Sequence, residues 1–220
     1  MSRRPKLVDA SGRFLIPVVI DTREQLPFTF GGMLCDQTDG GGSLTVPTVR
    51  GTLKSGDYSL LGYETRVAVE RKSLADLYST LGQGRERFER EIQRFADDCE
   101  FAAVVVEADW SAVLNRYPQS LLDLRAEFVG RVSAGDTSAP WSEWVNWLDE
   151  AMPTPPPQSL LAPKTVYRTV LAWQQRYPNV HWWMCPNRQL AEVTTFRVLE
   201  KFVQQELSGS RSTSSSVHHT

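Results

Sequence analysis

Two carboxylates and an ammonium stand at a spacing that chemistry can use. Asp57 lies in Gly56-Asp57-Tyr58, and Glu70 and Lys72 lie in Val69-Glu70-Arg71-Lys72-Ser73-Leu74-Ala75-Asp76. The run Arg66–Lys72 reads as a strand, on which alternate side chains share a face. Ala68, Glu70 and Lys72 then point one way, and Val67, Val69 and Arg71 the other. Asp57 opens a short β-like run, Tyr58 to Leu61, and Gly62-Tyr63-Glu64-Thr65 supplies a tight turn. A hairpin there returns Asp57 toward Glu70. Two acidic oxygen donors suit Mg²⁺, a hard cation that prefers carboxylates and water. Such an ion polarises a phosphate ester and lowers the pKa of bound water. Lys72, one pleat from Glu70, is placed to orient that water or offset charge in the transition state. An isolated E-x-K on a strand is more often a surface salt bridge. The whole string is much harder to explain that way.

That string closely resembles the nuclease-domain signature of the XPF-type structure-specific endonucleases, a G-D…E-R-K-x-x-x-D pattern. Upstream, Pro17-Val18-Val19-Ile20-Asp21-Thr22-Arg23-Glu24-Gln25 is similar to the family's strand ending in D-x-R-E. Downstream, Leu81-Gly82-Gln83-Gly84-Arg85 resembles its glycine-arginine turn into a helix. The likeness runs in order from about Val18 to Val106, with a continuation from Pro163 to Leu207. It implies a restriction-endonuclease-like α/β fold, with a central mixed sheet flanked by helices. It also implies a Mg²⁺-dependent DNA endonuclease, with Mn²⁺ as a substitute ion. Such an enzyme cuts one strand near a flap, fork or junction, in repair or recombination, and leaves a 5′-phosphate. A catalytically silent DNA-binding or scaffold subunit is the leading rival, and a Holliday-junction or restriction-type nuclease is the next. Silent relatives usually lose motif residues, whereas Asp57, Glu70, Arg71 and Lys72 all stand here.

The resemblance extends the candidate site. Asp21 would join Asp57 and Glu70 at the metal, by binding a second ion or its water shell. Arg23 would touch the scissile phosphate, and Arg71 joins the catalytic set. Glu24 and Asp76 are supporting residues, Asp76 as a helix cap or as a partner that orients Lys72 or Arg71. A capped turn is the plain alternative for Asp21-Thr22-Arg23-Glu24. Arg85 matches the family's glycine-arginine position beside the active site. Arg87, Arg90 and Arg94 recur at i, i+3 and i+7, opposite Phe88, Ile92 and Phe95. Their stripe either tracks phosphates or is a solvated face neutralised by Glu86, Glu89 and Glu91.

These residues need a framework. The 220 residues, 41% of them hydrophobic, suffice for one large domain, here 1–207. A formal charge of −2 gives no global attraction to DNA, so contact must rely on local basic patches. Cys35, Cys99 and Cys185 show no C-x-x-C pair and read as reduced thiols in a cytosolic protein, nucleoid-associated or nuclear according to the cell. The longest strongly apolar run, Phe101 to Val106, is far too short to span a membrane. Strands are expected at Phe14–Ile20, Leu44–Leu53, Phe101–Glu107 and His181–Cys185, besides the Asp57–Lys72 hairpin. Helices are expected from Ser73 through Tyr78 and over Arg85–Asp97, Lys164–Tyr177 and Arg188–Leu207. Gly31–Ser43 reads as a loop.

Two departures from the family stand out. From about 115 to 162 a long stretch replaces a short connection, with helices expected at Leu121–Val132 and Trp141–Met152 before the break Pro153–Pro157. Trp141, Trp144, Trp147 and Leu148 make a stripe that packs on a core or offers a platform to an unpaired base or a partner protein. Nothing in these residues reads as the glycine-centred hairpins of the family's tandem helix-hairpin-helix module, and 208–220 reads as a disordered tail whose His218 and His219 are too few for a metal site. Branch recognition must then come from this domain, the insertion, a homodimer or a partner subunit. The wide apolar face of Arg188–Leu207 is either wholly internal or leaves Val198 for a second copy.

Overall fold

Val67-Ala68-Val69 and Ala102–Val106 are wholly buried, and apolar runs covered on both faces form the parallel centre of a sheet. In the computed structural model, which describes residues 6–34, 42–114, 119–151 and 161–214, these runs are neighbouring strands. Strand β6 (Val67–Lys72) runs parallel to β7 (Phe101–Val106), and β7 runs parallel to β8 (Val180–Met184). On the other side β5 (Tyr58–Leu60) is antiparallel to β6. Then come β1 (Val18–Asp21), antiparallel to β5, and β4 (Thr48–Gly51), parallel to β1. The order is β4-β1-β5-β6-β7-β8. With helices on both faces, this mixed sheet is the restriction-endonuclease-like α/β architecture that the sequence implied.

The alternation along β6 divides the core. Val67 and Val69 face α7 (Arg188–Ser214), where they meet Phe196, Leu199 and Val203 together with Phe14, Phe28 and Phe30. Ala68 faces a second cluster built from α1 (Leu74–Leu81), α2 (Arg85–Asp98), α3 (Trp110–Leu114) and α6 (Pro163–Arg176). Phe88, Ile92 and Phe95 supply the buried stripe of α2, as their spacing required. Glu70 and Lys72 share Ala68's side of the strand, and Arg71 shares the α7 side.

Several boundaries moved, each for a local reason. The first strand begins only after Pro17, because Phe14 sits in an isolated bridge to Val8. Leu44–Leu53 is interrupted at Pro47, leaving Leu44 in a two-residue strand β3 (Ser43–Leu44) against β2 (Met33–Leu34) inside the expected loop. The helix after Ser73 continues to Leu81, because Leu77, Tyr78 and Leu81 all pack inward. Helix α3 was not expected. The closing helix overruns Leu207 and reaches Ser214, into the stretch expected to be a disordered tail. The Ser208 hydroxyl returns a hydrogen bond of 2.6 Å to the Gln204 carbonyl, so serine does not stop it.

The insertion forms α4 (Gln119–Ser133) and α5 (Trp141–Ala151), which pack mainly on each other. Phe128 lies 5.5 Å from Trp141 and 5.3 Å from Trp144, Leu148 is buried, and Arg125 pairs with Asp149. Trp147 is 62% exposed, so the stripe is only partly a core. Cys35, Met152, the Pro153–Pro157 break, His218 and His219 lie outside the described residues.

Candidate active site

Gly56 sets the entry to the site. Its φ is +82°, and a Cβ there would lie 3.1 Å from the Val69 carbonyl oxygen and 3.4 Å from the Phe95 ring. Glycine alone fits both the left-handed backbone and the close approach. The next residue, Asp57, is thereby pressed against β6. Its N–H donates to the Val69 carbonyl at 2.9 Å, and its Oδ2 accepts the Arg71 N–H at 2.8 Å. Glu70 sits between those two contacts, on the opposite face from Arg71. The hairpin expected from the sequence therefore does bring Asp57 back beside Glu70.

Burial gives this pair its chemistry. Glu70 is buried, and loss of solvent raises its carboxyl well above the usual range; the neighbouring Asp57 pushes it further. Burial likewise raises Asp57, with Glu24 and Glu91 adding to the effect while the Arg71 N–H and Lys72 oppose it. Lys72 Nζ donates to Glu70 Oε1 and lies 4.8 Å above the Phe88 ring. Burial works against its charge, but Glu70 holds the ammonium above its ordinary value. Two crowded carboxylates with one ammonium have a deficit of positive charge. A divalent cation would remove that deficit, and Asp57 and Glu70 are the residues that would hold it. Among the described residues no three His, Cys, Asp or Glu side chains gather as a metal site. Two carboxylates still suit Mg²⁺, which keeps several waters and completes its shell with substrate phosphate.

The other expected residues are placed differently. Asp21 lies next door, its N–H donating to the Asp57 carbonyl at 2.8 Å. Both of its carboxylate oxygens are already taken, by the Arg23 N–H and guanidinium at 2.7–3.1 Å and by the Leu53 N–H at 2.7 Å. Burial works against that charge, yet Arg23 and Leu53 hold the carboxyl below its usual range. Arg23 is thus tied to Asp21 and to the Leu53 carbonyl, although its side chain is mostly exposed. Asp76 serves the Ser73 cap: its N–H donates to Ser73 Oγ at 3.1 Å, and the Ser73 hydroxyl donates to its carboxylate at 2.7 Å. Arg71 points away from Glu70 and grips Glu107, with Glu24 at 3.5 Å. Arg85 bonds to Thr169 Oγ1 at 2.8 Å and lies over Trp173, so it ties α2 to α6. Arg87, Arg90 and Arg94 are exposed, and none makes an ion pair with a described residue.

Against this geometry the comparisons are decisive on family. The model of the ERCC4 domain matches residues 20–195, from the end of β1 into α7, and takes in every residue of the site. The chain belongs to the ERCC4-domain family. Among solved structures it is similar to an XPF from Aeropyrum pernix, at 15% identity over 83% of this chain and 64% of that one, with a TM-score of 0.43. It is also similar to an XPF from Aeropyrum pernix in complex with DNA, at 17% identity over 84% and 66%, with a TM-score of 0.42. The chain thus spans a little under two thirds of the length of those chains. No curated protein sequence matches it. No described helix is long and apolar enough to cross a membrane.

Sequence reasoning missed three residues of this neighbourhood. Glu91 was read as neutralising the α2 arginines, yet its charge reaches Asp57, Glu70 and Lys72. Its spacing of three from Phe88 was the available signal, since it puts Glu91 at the margin of the buried stripe. Glu107 directly follows β7 and Arg188 opens α7; only the parallel register of β6 and β7 and the docking of α7 bring them to Arg71.

Proposed function

We propose that this protein is a Mg²⁺-dependent endonuclease that hydrolyses one strand of DNA at a branch, flap or fork, in repair or recombination. The observation that carries the reading is the buried Glu70 with half-buried Asp57 beside it and Lys72 donating to Glu70. A Mg²⁺ ion bound there would supply Lewis-acid polarisation of the phosphate and a more acidic water. The chain's own residues do the rest. Asp57 and Glu70 would hold the ion, and the Arg71 N–H fixes the Asp57 carboxylate through Oδ2. Lys72, half-buried over Phe88, keeps an ammonium where negative charge grows on the phosphoryl oxygens. Asp21 would join a metal only by exchanging the Arg23 guanidinium for it, which would free Arg23 for a phosphate. Exposed Arg87 and Arg94 offer phosphate contacts that position the duplex and carry no sequence information.

Assembly belongs to the same proposal. Strand β8 is the outer strand of the sheet, and Trp183 on it is 46% exposed. Together with Phe101, Val193, Val198 and Phe202 it lines an apolar groove of about 430 Å³ along α7. A second copy fits this groove and would place two basic surfaces on one DNA.

The test is cleavage of a panel of labelled flap, fork, gapped and four-way DNAs with Mg²⁺ or Mn²⁺, with sedimentation on the same samples. Single-strand cuts near the branch are expected, with EDTA abolishing them and Ca²⁺ supporting binding without turnover. Binding without cleavage in Mg²⁺ and Mn²⁺ alike would turn the reading into that of a silent subunit. A strict monomer that cuts efficiently would remove the dimer.

A further inference from the structure

We infer that Glu107 and Arg188 are positioning residues of this nuclease site, holding Asp57 in place through Arg71. The inference rests on the nuclease reading above and deepens it. In the parallel pairing of β6 with β7, Lys72 stands opposite Val106, so Glu107 follows directly beyond the catalytic strand's last residue. Its N–H donates to the Lys72 carbonyl at 2.8 Å. The Glu107 carboxylate accepts Arg71 in a fork, Nε at 2.7 Å and Nη2 at 3.1 Å, and accepts Arg188 Nη1 at 2.8 Å on the same oxygen as Nε. The second arm of Arg188 donates to the carbonyls of Leu26 at 2.7 Å and Pro27 at 3.1 Å.

Both guanidiniums also lie on Phe28, at 5.6 Å for Arg71 and 4.8 Å for Arg188. The Phe28 ring in turn stacks on Tyr58, 5.2 Å away and inclined by 19°, and its N–H donates to the Tyr58 hydroxyl at 2.9 Å. Tyr58 is the residue after Asp57. The cluster therefore ties β5, β6, β7, the start of α7 and the loop after Asp21 into one unit on the sheet face opposite the acidic pair. One atom carries its effect to that pair. The main-chain N–H of Arg71 donates to Asp57 Oδ2, while the Arg71 side chain is clamped by Glu107. Arg71 turns one way to be gripped and the other way to aim the metal-binding carboxylate.

Two consequences separate this role from contact with DNA. The Glu107 and Arg71 side chains are only 12% and 10% exposed, so neither is offered to a phosphate. Arg188 opens the helix whose later turns line the apolar groove. A shift of α7 would therefore pass to Arg71 and Asp57 through one carboxylate.

Arg188→Met tests this with little risk to folding, since that side chain is 42% exposed; Glu107→Gln is the more severe companion. In folded Arg188→Met, kcat on the best DNA substrate should fall about 10–100-fold, the usual scale for a residue that orients a metal ligand. The Mg²⁺ concentration for half-maximal rate should rise, and KM for DNA should stay within about twofold, KM being the quantity a phosphate contact would move. Arg188→Lys, which can still reach Glu107, should recover part of the rate. Two measurements need no turnover: Mn²⁺ binding to the DNA-free protein by electron paramagnetic resonance should weaken, and amide exchange in the segment 66–76 should quicken. Unchanged kcat with unchanged Mn²⁺ affinity overturns the inference, and so does a loss confined to DNA affinity. If the wild type cuts no DNA, the nuclease reading alone fails, and the Mn²⁺ and exchange measurements still decide the positioning role.

Discussion

Along β6 the side chains of Arg71 and of Glu70 and Lys72 leave the same six-residue strand in opposite directions and meet opposite treatment. On the α7 face Arg71 finds Glu107 and Glu24, Glu107 also finds Arg188, and the aromatic ring of Phe28 covers both guanidiniums. The two arginines and two glutamates balance in charge. On the α1–α2 face Asp57, Glu70 and Glu91 share Lys72, while Arg23, which also feels Asp57 and Glu91, is held by Asp21. Buried charge is tolerated only when paired, and the α7 face is the better paired of the two. The arginines follow the same division. Those of the α7 face are consumed inside the protein, whereas Arg87, Arg90 and Arg94 on α2 remain exposed.

The comparison is broken most severely at Asp57. Asp57→Asn keeps an oxygen that can accept the Arg71 N–H but removes the charge that would bind metal. Cleavage should fall at least about 1,000-fold, beyond the usual loss for one stabilising group, while DNA affinity holds or tightens. Stability should move the other way. Burial raises the carboxyls of Asp57 and Glu70, so above about pH 4, where free carboxylates ionise, the unfolded chain sheds protons that the folded pair still binds. Metal-free wild type should therefore lose stability as pH rises toward 8. The expected loss is on the order of 1–2 kcal/mol, or roughly 2–8 °C in Tm, and Mg²⁺ should restore most of it at the upper end. Thermal melts in EDTA from pH 5 to 8 check the sign. Asp57→Asn should flatten the slope, and a flat wild-type profile would mean the pair is not the unsatisfied partner in this strand.

Lys72 sharpens the contrast between binding a charge and using one. Lys72→Met retains the aliphatic stem over Phe88 and deletes the ammonium. Turnover should drop on the order of 100-fold, with DNA affinity nearly unchanged, as measured by single-turnover rates beside a binding isotherm. A loss of affinity alone would move Lys72 from transition-state stabilisation to phosphate positioning.

The two faces were not equally legible in the sequence. Strict alternation assigned Glu70 and Lys72 to one side and Arg71 to the other, and the Gly62 turn returned Asp57, so those members of the acidic face were readable, whereas Glu91 came from a separate helix and was not. The sheet class followed from the same apolar runs. Arg71's real partners could not be foreseen in that way, because Glu107 and Arg188 lie far along the chain and meet it only through the parallel β6–β7 register and the docking of α7. Asp21 shows the same limit. The family resemblance put it beside Asp57, but the Leu53 N–H that it accepts comes from beyond a loop with little periodicity. The insertion's helices were readable from their stripes, while the packing of Phe128 between two tryptophans depends on a turn geometry that spacing does not fix.

The smallest expected effect concerns the exposed arginines. On α2, Glu91 lies four residues after Arg87 and three before Arg94, so all three share one side of the helix. Glu91 acts on Asp57 and Glu70, which places that side next to the acidic pair. DNA approaching the pair meets three carboxylates and needs a compensating positive rim, which Arg87 and Arg94 are free to give. Arg87→Gln or Arg94→Gln should weaken binding only about two- to fivefold at moderate salt. The slope of log affinity against log salt concentration should become shallower by about 0.7–0.9, the release expected for one phosphate contact, and kcat should be unchanged. Arg176→Gln serves as a control, because Arg176 already pairs with Glu89 at 2.7 Å on the other flank of α2 and should leave the salt slope as it is. If all three variants shift the slope alike, the basic rim is a general surface property of α2; if Arg87 and Arg94 leave it untouched, DNA reaches the acidic pair from a different side.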